Sequence, residues 1–114
     1  MGRKKMFPDH DLPRSVVGIC VAIIADYNRR EKEIRKGGIV EPLLSSYQNY
    51  NSVIDKALLC IEEGARREYI ADIENDRGYR YSLLNREYTS WSYYARKRQL
   101  IYEVAVGLGL APRI

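Results

Sequence analysis

Residues 81–108 read YSLLNREYTSWSYYARKRQLIYEVAVGL, and this stretch decides the fold. Its pattern predicts a short helix at 81–87, a tight turn at 88–89 and a longer helix at 90–108. Ser90 is a suitable N-cap for the longer helix, because its hydroxyl can accept from the unpaired backbone N–H groups of the first turn. The stretch therefore predicts a helix-turn-helix.

The two sides of the longer predicted helix differ in chemistry. If Tyr94 faces the core, Ile101, Ala105 and Leu108 lie on the same side at helical spacing. The other side is small, polar and cationic. A helix that reads the major groove needs one packed face and one short basic, hydrogen-bonding face, so we expect this second side to contact base edges. The predicted base-reading residues are Ser92, Ala95, Arg96 and Gln99.

Each of these side chains has a matching base chemistry. Arg96 suits guanine, Gln99 suits adenine and Ala95 suits the methyl group of thymine. Further basic and hydroxyl side chains around the helix start are expected to hold phosphates. The alternative for the Arg96–Arg98 run is an ordinary solvated face. The predicted phosphate-binding residues are Arg77, Arg80, Arg86, Thr89, Ser90, Lys97 and Arg98.

The charge distribution favours a polyanionic partner. The 114-residue chain has a net charge of +4 and a pI near 9.1. Residues 77–114 hold seven bases against two acids, whereas residues 41–76 hold eight acids against three bases. A basic end of this kind indicates double-stranded DNA as the partner. Residues 1–10 are predicted to be a flexible basic arm that either contacts phosphates or has no role.

The rest of the chain predicts helices with no β alternation. A first helix is expected between Asp11 and Gly37, with Val16–Ala25 as its most buried part. A second helix is expected at 43–61 and a third at 65–75. Together these elements predict an all-α fold of about five helices, a small bundle in one domain at 11–114 that ends in the helix-turn-helix at 81–108.

A heptad-like seam runs through the second predicted helix, at 43–61. Its members are Leu43, Tyr47, Tyr50, Ile54, Ala57 and Ile61. Such a seam packs either on the first helix within the same chain or on a second copy in a homodimer. Both interpretations remain open from the sequence.

Enzyme, metal and membrane signatures are missing from the sequence. There is no phosphate-cradling glycine loop and no nucleophile motif, so we expect no enzymatic activity, catalytic residue, metal site or cofactor. The longest apolar run is about half of a membrane span, so no membrane partner is expected. Cys20 and Cys60 lie in helical patterns and are expected to be buried, reduced thiols of a cytoplasmic protein.

Three segments resemble phage-encoded transcriptional regulators of the ArpU/RinA kind. They are IDKAL at 54–58, SWSYYARKR at 90–98 and VAVGLGL at 104–110, so the resemblance covers roughly residues 50–110. It implies a sigma-factor-like helix-turn-helix that acts on phage or prophage genes. The chain departs from the pattern at the turn, which is Glu87-Tyr88-Thr89 without glycine, and this affects the expected docking geometry.

Two functional interpretations follow from the sequence. The first is a sequence-specific DNA-binding transcription regulator of phage or prophage type that reads DNA with the helix starting at Ser90. The alternative is a non-enzymatic helical protein-interaction module that docks on RNA polymerase or a phage protein without specific DNA binding. The acidic 62–76 segment and the 43–61 seam motivate this alternative.

Overall fold

The computed structural model describes residues 11–113, and these residues form an all-α fold, which confirms the predicted fold class. The predicted arm at 1–10 lies outside the described residues. The α-helices are α1 (Arg14–Ala25), α2 (Tyr27–Lys36), α3 (Leu43–Ala57), α4 (Arg66–Glu74) and α5 (Ser90–Gly107). The connections contain short 3₁₀ segments at Leu58–Cys60, Glu63–Ala65, Tyr79–Tyr81 and Leu83–Arg86.

The predicted first helix is in fact two helices that meet at Asp26. Its carboxylate pairs with Arg29 at 2.5 Å and with Arg30 at 3.5 Å. An aspartate that binds neighbouring groups in this way competes with a continuous helix. The buried Arg30 also donates to the carbonyl of Ile23, so the last turn of α1 has a polar partner. As predicted, the segment ends at Gly37, where φ is 83°.

α2 and α3 form an antiparallel hairpin within the chain. Tyr27 at the start of α2 donates to Asp55 near the end of α3 at 2.5 Å. One turn further on, Arg30 donates to the buried Asn51 at 2.7 Å. The intramolecular interpretation of the 43–61 seam is therefore realised along this hairpin, and the homodimer stays a prediction.

The core is built around α5, which packs against both α1 and α3. The prediction that Val16–Ala25 would be the most buried helix is wrong, because only Cys20 and Ile24 of α1 are buried and Ile19 is exposed. An apolar run makes a helix pack, but the number of covered sides depends on its neighbours. The buried residues of α5 are Tyr93, Ala95, Leu100, Ile101, Tyr102, Val104 and Ala105.

Both cysteines are free thiols, and their burial differs from the prediction. Cys20 is buried as expected, but Cys60 lies at the surface. Cys60 ends a 3₁₀ segment, and the tighter 3₁₀ turn changes which side chains face inward.

No α-helix within residues 11–113 is long and apolar enough to cross a membrane. In the same range, no three His, Cys, Asp or Glu side chains come together in a way that would hold a metal ion.

Candidate nucleic-acid interface

α5 begins at Ser90, as predicted, but Thr89 is its N-cap. The hydroxyl of Thr89 accepts a hydrogen bond from the backbone N–H of Ser92 at 3.1 Å. Ser90 is the first helical residue and is exposed. Two adjacent hydroxyl residues have the same capping chemistry, so the sequence leaves the start uncertain by one residue.

The α-helix predicted at 81–87 is replaced by two 3₁₀ segments with Ser82 between them. The Ser82 hydroxyl accepts from the N–H of Leu84 at 3.1 Å and starts the second segment. Segments of this length gain too few i to i−4 hydrogen bonds to form an α-helix. The helix before the turn of the predicted helix-turn-helix is thus absent, and α5 follows a short 3₁₀ platform, residues 79–86.

Tyr93 fixes the rotation of α5 on α4. Its ring stacks on that of Tyr69, with centroids 5.0 Å apart and an interplanar angle of 16°. The Tyr93 hydroxyl donates to the buried Asp72 at 2.8 Å, and the Tyr69 hydroxyl donates to the Tyr93 carbonyl at 2.9 Å. Burial raises the pKa of both phenols, so they remain protonated donors.

Tyr79 and Tyr94 attach the 3₁₀ platform to α5. The Tyr94 hydroxyl accepts from the Tyr79 N–H at 3.0 Å. A Cβ at Gly78 would lie 2.9 Å from that oxygen, so the close approach favours glycine there. The Tyr79 hydroxyl in turn approaches the carbonyls of Tyr88 and Asn85, at 2.5 and 3.0 Å. Platform, turn and α5 are therefore joined by side-chain hydrogen bonds.

An ionic network holds the other side of the platform. Arg77 pairs with Asp72 at 3.1 Å and with Glu68 at 3.6 Å. Glu68 accepts from the N–H of Leu83 at 3.0 Å. Burial and the hydrogen bond with Asp72 raise the pKa of Glu68. Arg77, predicted to bind phosphate, is placed in this internal network.

The predicted orientation of α5 is wrong in its N-terminal half, whereas Ile101 and Ala105 are buried as predicted. Ala95, placed on the base-reading face, is only 1% exposed, whereas Tyr94, placed in the core, is 38% exposed. The reason is that Tyr93 occupies the core beside Asp72, and adjacent helical residues lie about 100° apart. The predicted base-reading residues therefore do not form one exposed face.

Arg96 clamps α5 to the segment before α4. Its guanidinium binds both carboxylate oxygens of Glu62, with Nε and Nη2 each 2.8 Å from an oxygen. It also lies 4.6 Å from the ring centroid of Tyr88, whose hydroxyl donates to Glu62 at 2.8 Å. The hydrogen bond from Arg96 lowers the pKa of Glu62 to about 2. Arg96 thus has a local anionic partner in place of a base edge.

Ser92 and Gln99 also make contacts within the chain. The Ser92 hydroxyl accepts from Arg96 at 3.0 Å, and the Gln99 amide donates to Glu103 at 2.9 Å. Three of the four predicted base-reading side chains are hydrogen-bonded internally, and the fourth, Ala95, is buried.

A different side of the N-terminal half of α5 faces solvent. It combines two partly exposed aromatic rings, Trp91 at 37% and Tyr94 at 38%, with Lys97 and the exposed Arg98. The ammonium group of Lys97 lies 5.9 Å from the Tyr94 ring centroid, within cation–π range. Ser90 lies at the start of the same side.

Arg80 and Arg86 are exposed on the 3₁₀ platform, which the Tyr79–Tyr94 hydrogen bond joins to this side of α5. Within residues 11–113, no ion pair involves Arg80, Arg86, Lys97 or Arg98. We call the combined surface the basic–aromatic face. It consists of Arg80, Arg86, Ser90, Trp91, Tyr94, Lys97 and Arg98.

The predicted phosphate-binding set divides in two. Thr89 caps α5 and Arg77 is ion-paired, whereas the other five members lie on the basic–aromatic face. Their contact with phosphate stays a prediction.

Sequence reasoning missed Tyr94 as a surface residue, because it placed this ring in the core. One signal for the internal role of Arg96 was present in the charge distribution. The acidic 41–76 segment directly precedes the basic end, and the Arg96–Glu62 and Arg77–Glu68 pairs join the two. Part of the apparent basic excess is therefore neutralised inside the fold.

Comparison of the chain with protein-family models, with curated proteins and with solved structures gave no match.

Proposed function

We propose that the protein binds double-stranded DNA through the basic–aromatic face. The observation that carries the proposal is a set of four cationic side chains that lack an acidic partner among the described residues: Lys97 and Arg98 on α5, and Arg80 and Arg86 on the 3₁₀ platform that Tyr94 joins to α5. Phosphate contacts by such cations provide most of the affinity of DNA-binding proteins.

The dimensions of the N-terminal half of α5 suit a major groove. The half-helix Ser90–Arg98, like other α-helices with their side chains, is about 10–12 Å across. The major groove is about 12 Å wide and admits one α-helix. Arg98 and Tyr94 lie one turn apart on the outward side, where they can approach base edges while Arg80 and Arg86 flank the backbone.

Within this proposal Arg98 takes the role that the sequence gave to Arg96. A guanidinium without an internal partner is available for a bidentate hydrogen bond to guanine. Trp91 and Tyr94 supply apolar contacts to a thymine methyl group or to the sugar–phosphate backbone. Sequence-specific regulation of phage or prophage type is the biological role that the resemblance of residues 50–110 favours.

A salt-dependent binding titration tests the proposal. Fluorescence anisotropy would be measured with random duplex DNA and with the gene's own upstream region. With phosphate contacts from Arg80, Arg86 and Lys97, the slope of log K against log salt is expected to be about −2.7. Tighter binding to the upstream fragment supports specific regulation; absence of salt-sensitive binding to either duplex contradicts DNA binding.

A protein-interaction role has one specific observation in its favour. Tyr81 and Leu83 on the 3₁₀ platform are 69% and 79% exposed, and such neighbouring apolar groups are suited to a protein contact. RNA polymerase or a phage protein would be the partner. Leu83→Asp would abolish co-purification with host RNA polymerase under this alternative, but would leave the affinity for DNA within severalfold of the original.

A further inference from the structure

A cavity of about 420 Å³ lies away from the basic–aromatic face, between α2 and α4. Its size is within the usual range of small-molecule sites. α2 contributes one helical side, with positions spaced by three or four residues, and α4 contributes its first turn. The lining residues are Tyr27, Asn28, Glu31, Arg35, Leu58, Arg66, Arg67 and Ile70.

Three guanidinium groups from two helices line this cavity. Arg35 comes from α2, while Arg66 and Arg67 come from the start of α4. Neither Arg35 nor Arg67 forms an ion pair within residues 11–113, although Glu31 lies one helical turn from Arg35. With three arginines against one glutamate, the lining carries a net charge of +2.

Arg66 is fixed in place by the backbone. Its Nε donates to the carbonyls of Leu58 and Ile61, at 2.8 and 2.9 Å. This leaves the terminal nitrogens of its guanidinium as further donors. A guanidinium held in this way loses little side-chain entropy when it binds an anion.

The remaining walls are also held by internal contacts. The Tyr27 hydroxyl donates to Asp55 at 2.5 Å and the Asn28 amide donates to Glu74 at 2.9 Å. Glu31 accepts from the buried Asn51 at 2.8 Å. The buried side chains of Leu58 and Ile70, together with the Tyr27 ring, add an apolar part.

We infer that this cavity binds a small phosphorylated molecule with a flat apolar part, of the nucleoside monophosphate class. The three arginines suit a dianionic phosphate better than a carboxylate, because the carboxylates of Asp55 and Glu74 bind Tyr27 and Asn28 at the other end of α2 from Arg35. The tyrosine ring and the two aliphatic side chains suit a planar base. The concave shape favours a small ligand over the backbone of a duplex.

Isothermal titration calorimetry of the whole chain with AMP, GMP and inorganic phosphate tests the inference. Both nucleotides are expected to bind more tightly than phosphate alone. The double variant Arg35→Gln/Arg67→Gln is expected to lose about tenfold or more in affinity for the nucleotides. Glu31→Gln retains an acceptor for Asn51 but removes a negative charge, so it is expected to bind them more tightly.

Lys56→Gln is the matched control, because it removes an exposed positive charge outside the cavity and is expected to leave nucleotide affinity unchanged. Absence of binding of any probe at millimolar concentration overturns the inference, as does binding that is equal in the double variant. The same variants are also titrated with duplex DNA. If the double variant loses affinity for duplex DNA but not for nucleotides, the arginines bind the phosphate backbone of DNA and the inference is wrong.

Discussion

The two halves of α5 have different surroundings and roles although they belong to one continuous helix. In the C-terminal half, most side chains are buried and apolar, as Leu100 and Val104 show. In the N-terminal half, Tyr93 and Arg96 anchor α5 through Asp72 and Glu62, and another side presents Trp91 and Arg98 to solvent. Most residues that stabilise the fold and the residues that are available to a partner thus lie in different halves of one helix. Substitutions in the C-terminal half should change the free energy of unfolding, and substitutions of the exposed side chains in the N-terminal half should change the affinity for DNA.

Truncation of Leu100 is expected to have the largest effect on stability. Its side chain is completely buried, so Leu100→Ala removes apolar contacts and leaves a cavity, at a cost of about 2–5 kcal/mol. Urea denaturation followed by circular dichroism would measure it. Leu83→Ala is the matched control, because the same atoms are removed from an exposed site and the expected change is within about 0.5 kcal/mol. Equal losses in the two variants would contradict the placement of Leu100 in the core.

Removal of the Tyr93 hydroxyl is expected to have the next largest effect. Tyr93→Phe takes a donor from the buried carboxylate of Asp72, which should lower the free energy of unfolding by about 1–3 kcal/mol. The same denaturation experiment applies. Tyr81→Phe removes an identical hydroxyl from an exposed ring and should leave stability nearly unchanged. If Tyr93→Phe behaves like Tyr81→Phe, this hydrogen bond does not anchor the N-terminal half.

The smallest effect is expected at the Arg96–Glu62 clamp, and it should depend on pH. Arg96 lowers the pKa of Glu62 from its ordinary value of 4.5 to about 2, so the stabilisation is fully present above pH 4.5 and is lost as pH falls toward 2. Because the Glu62 side chain is half exposed, the pair should contribute less than about 1 kcal/mol. Comparison of Glu62→Gln with Glu63→Gln, through denaturation at several pH values, would measure it.

In that comparison, the Glu62→Gln variant should lose the part of the acid dependence that falls between pH 4.5 and 2, and Glu63→Gln should retain it. A double-mutant cycle of Glu62→Gln with Arg96→Gln should give a coupling energy that disappears near pH 2. Coupling of constant size across this range would mean that the ion pair is not the source of the stabilisation.

Several helix ends could be predicted from the sequence because local signals specify them. Gly37 ends the α1–α2 segment, and the start of α5 lies within one residue of its predicted cap. The burial of α1 could not be predicted, because an apolar stretch does not reveal how many neighbours will cover it. The 3₁₀ form of the platform could not be predicted from the sequence either, because it depends on the Ser82 hydroxyl and on the tertiary contacts of Tyr79.

The proposed interface lies on the helix that the sequence singled out, but the N-terminal half of that helix has a different orientation from the predicted one. Tyr93 and Tyr94 are adjacent and chemically identical, so the pattern allowed either ring to enter the core. The choice depends on Asp72, which lies 21 residues before Tyr93. Likewise, Arg96 binds Glu62, which is 34 residues away. Long-range partners of this kind have no signature in helical periodicity.

The most direct test of the central claim is the affinity for duplex DNA of two variants that each lose one exposed positive charge. Arg98→Ala alters the N-terminal half of α5, whereas Lys56→Ala alters a site beside Val106 and Gly107 at its C-terminal end. We predict that Arg98→Ala weakens binding to the upstream duplex by about tenfold and weakens binding to random duplex much less, while Lys56→Ala changes neither affinity. Equal losses in both variants, or no loss in Arg98→Ala, would contradict the proposal that the basic–aromatic face binds DNA.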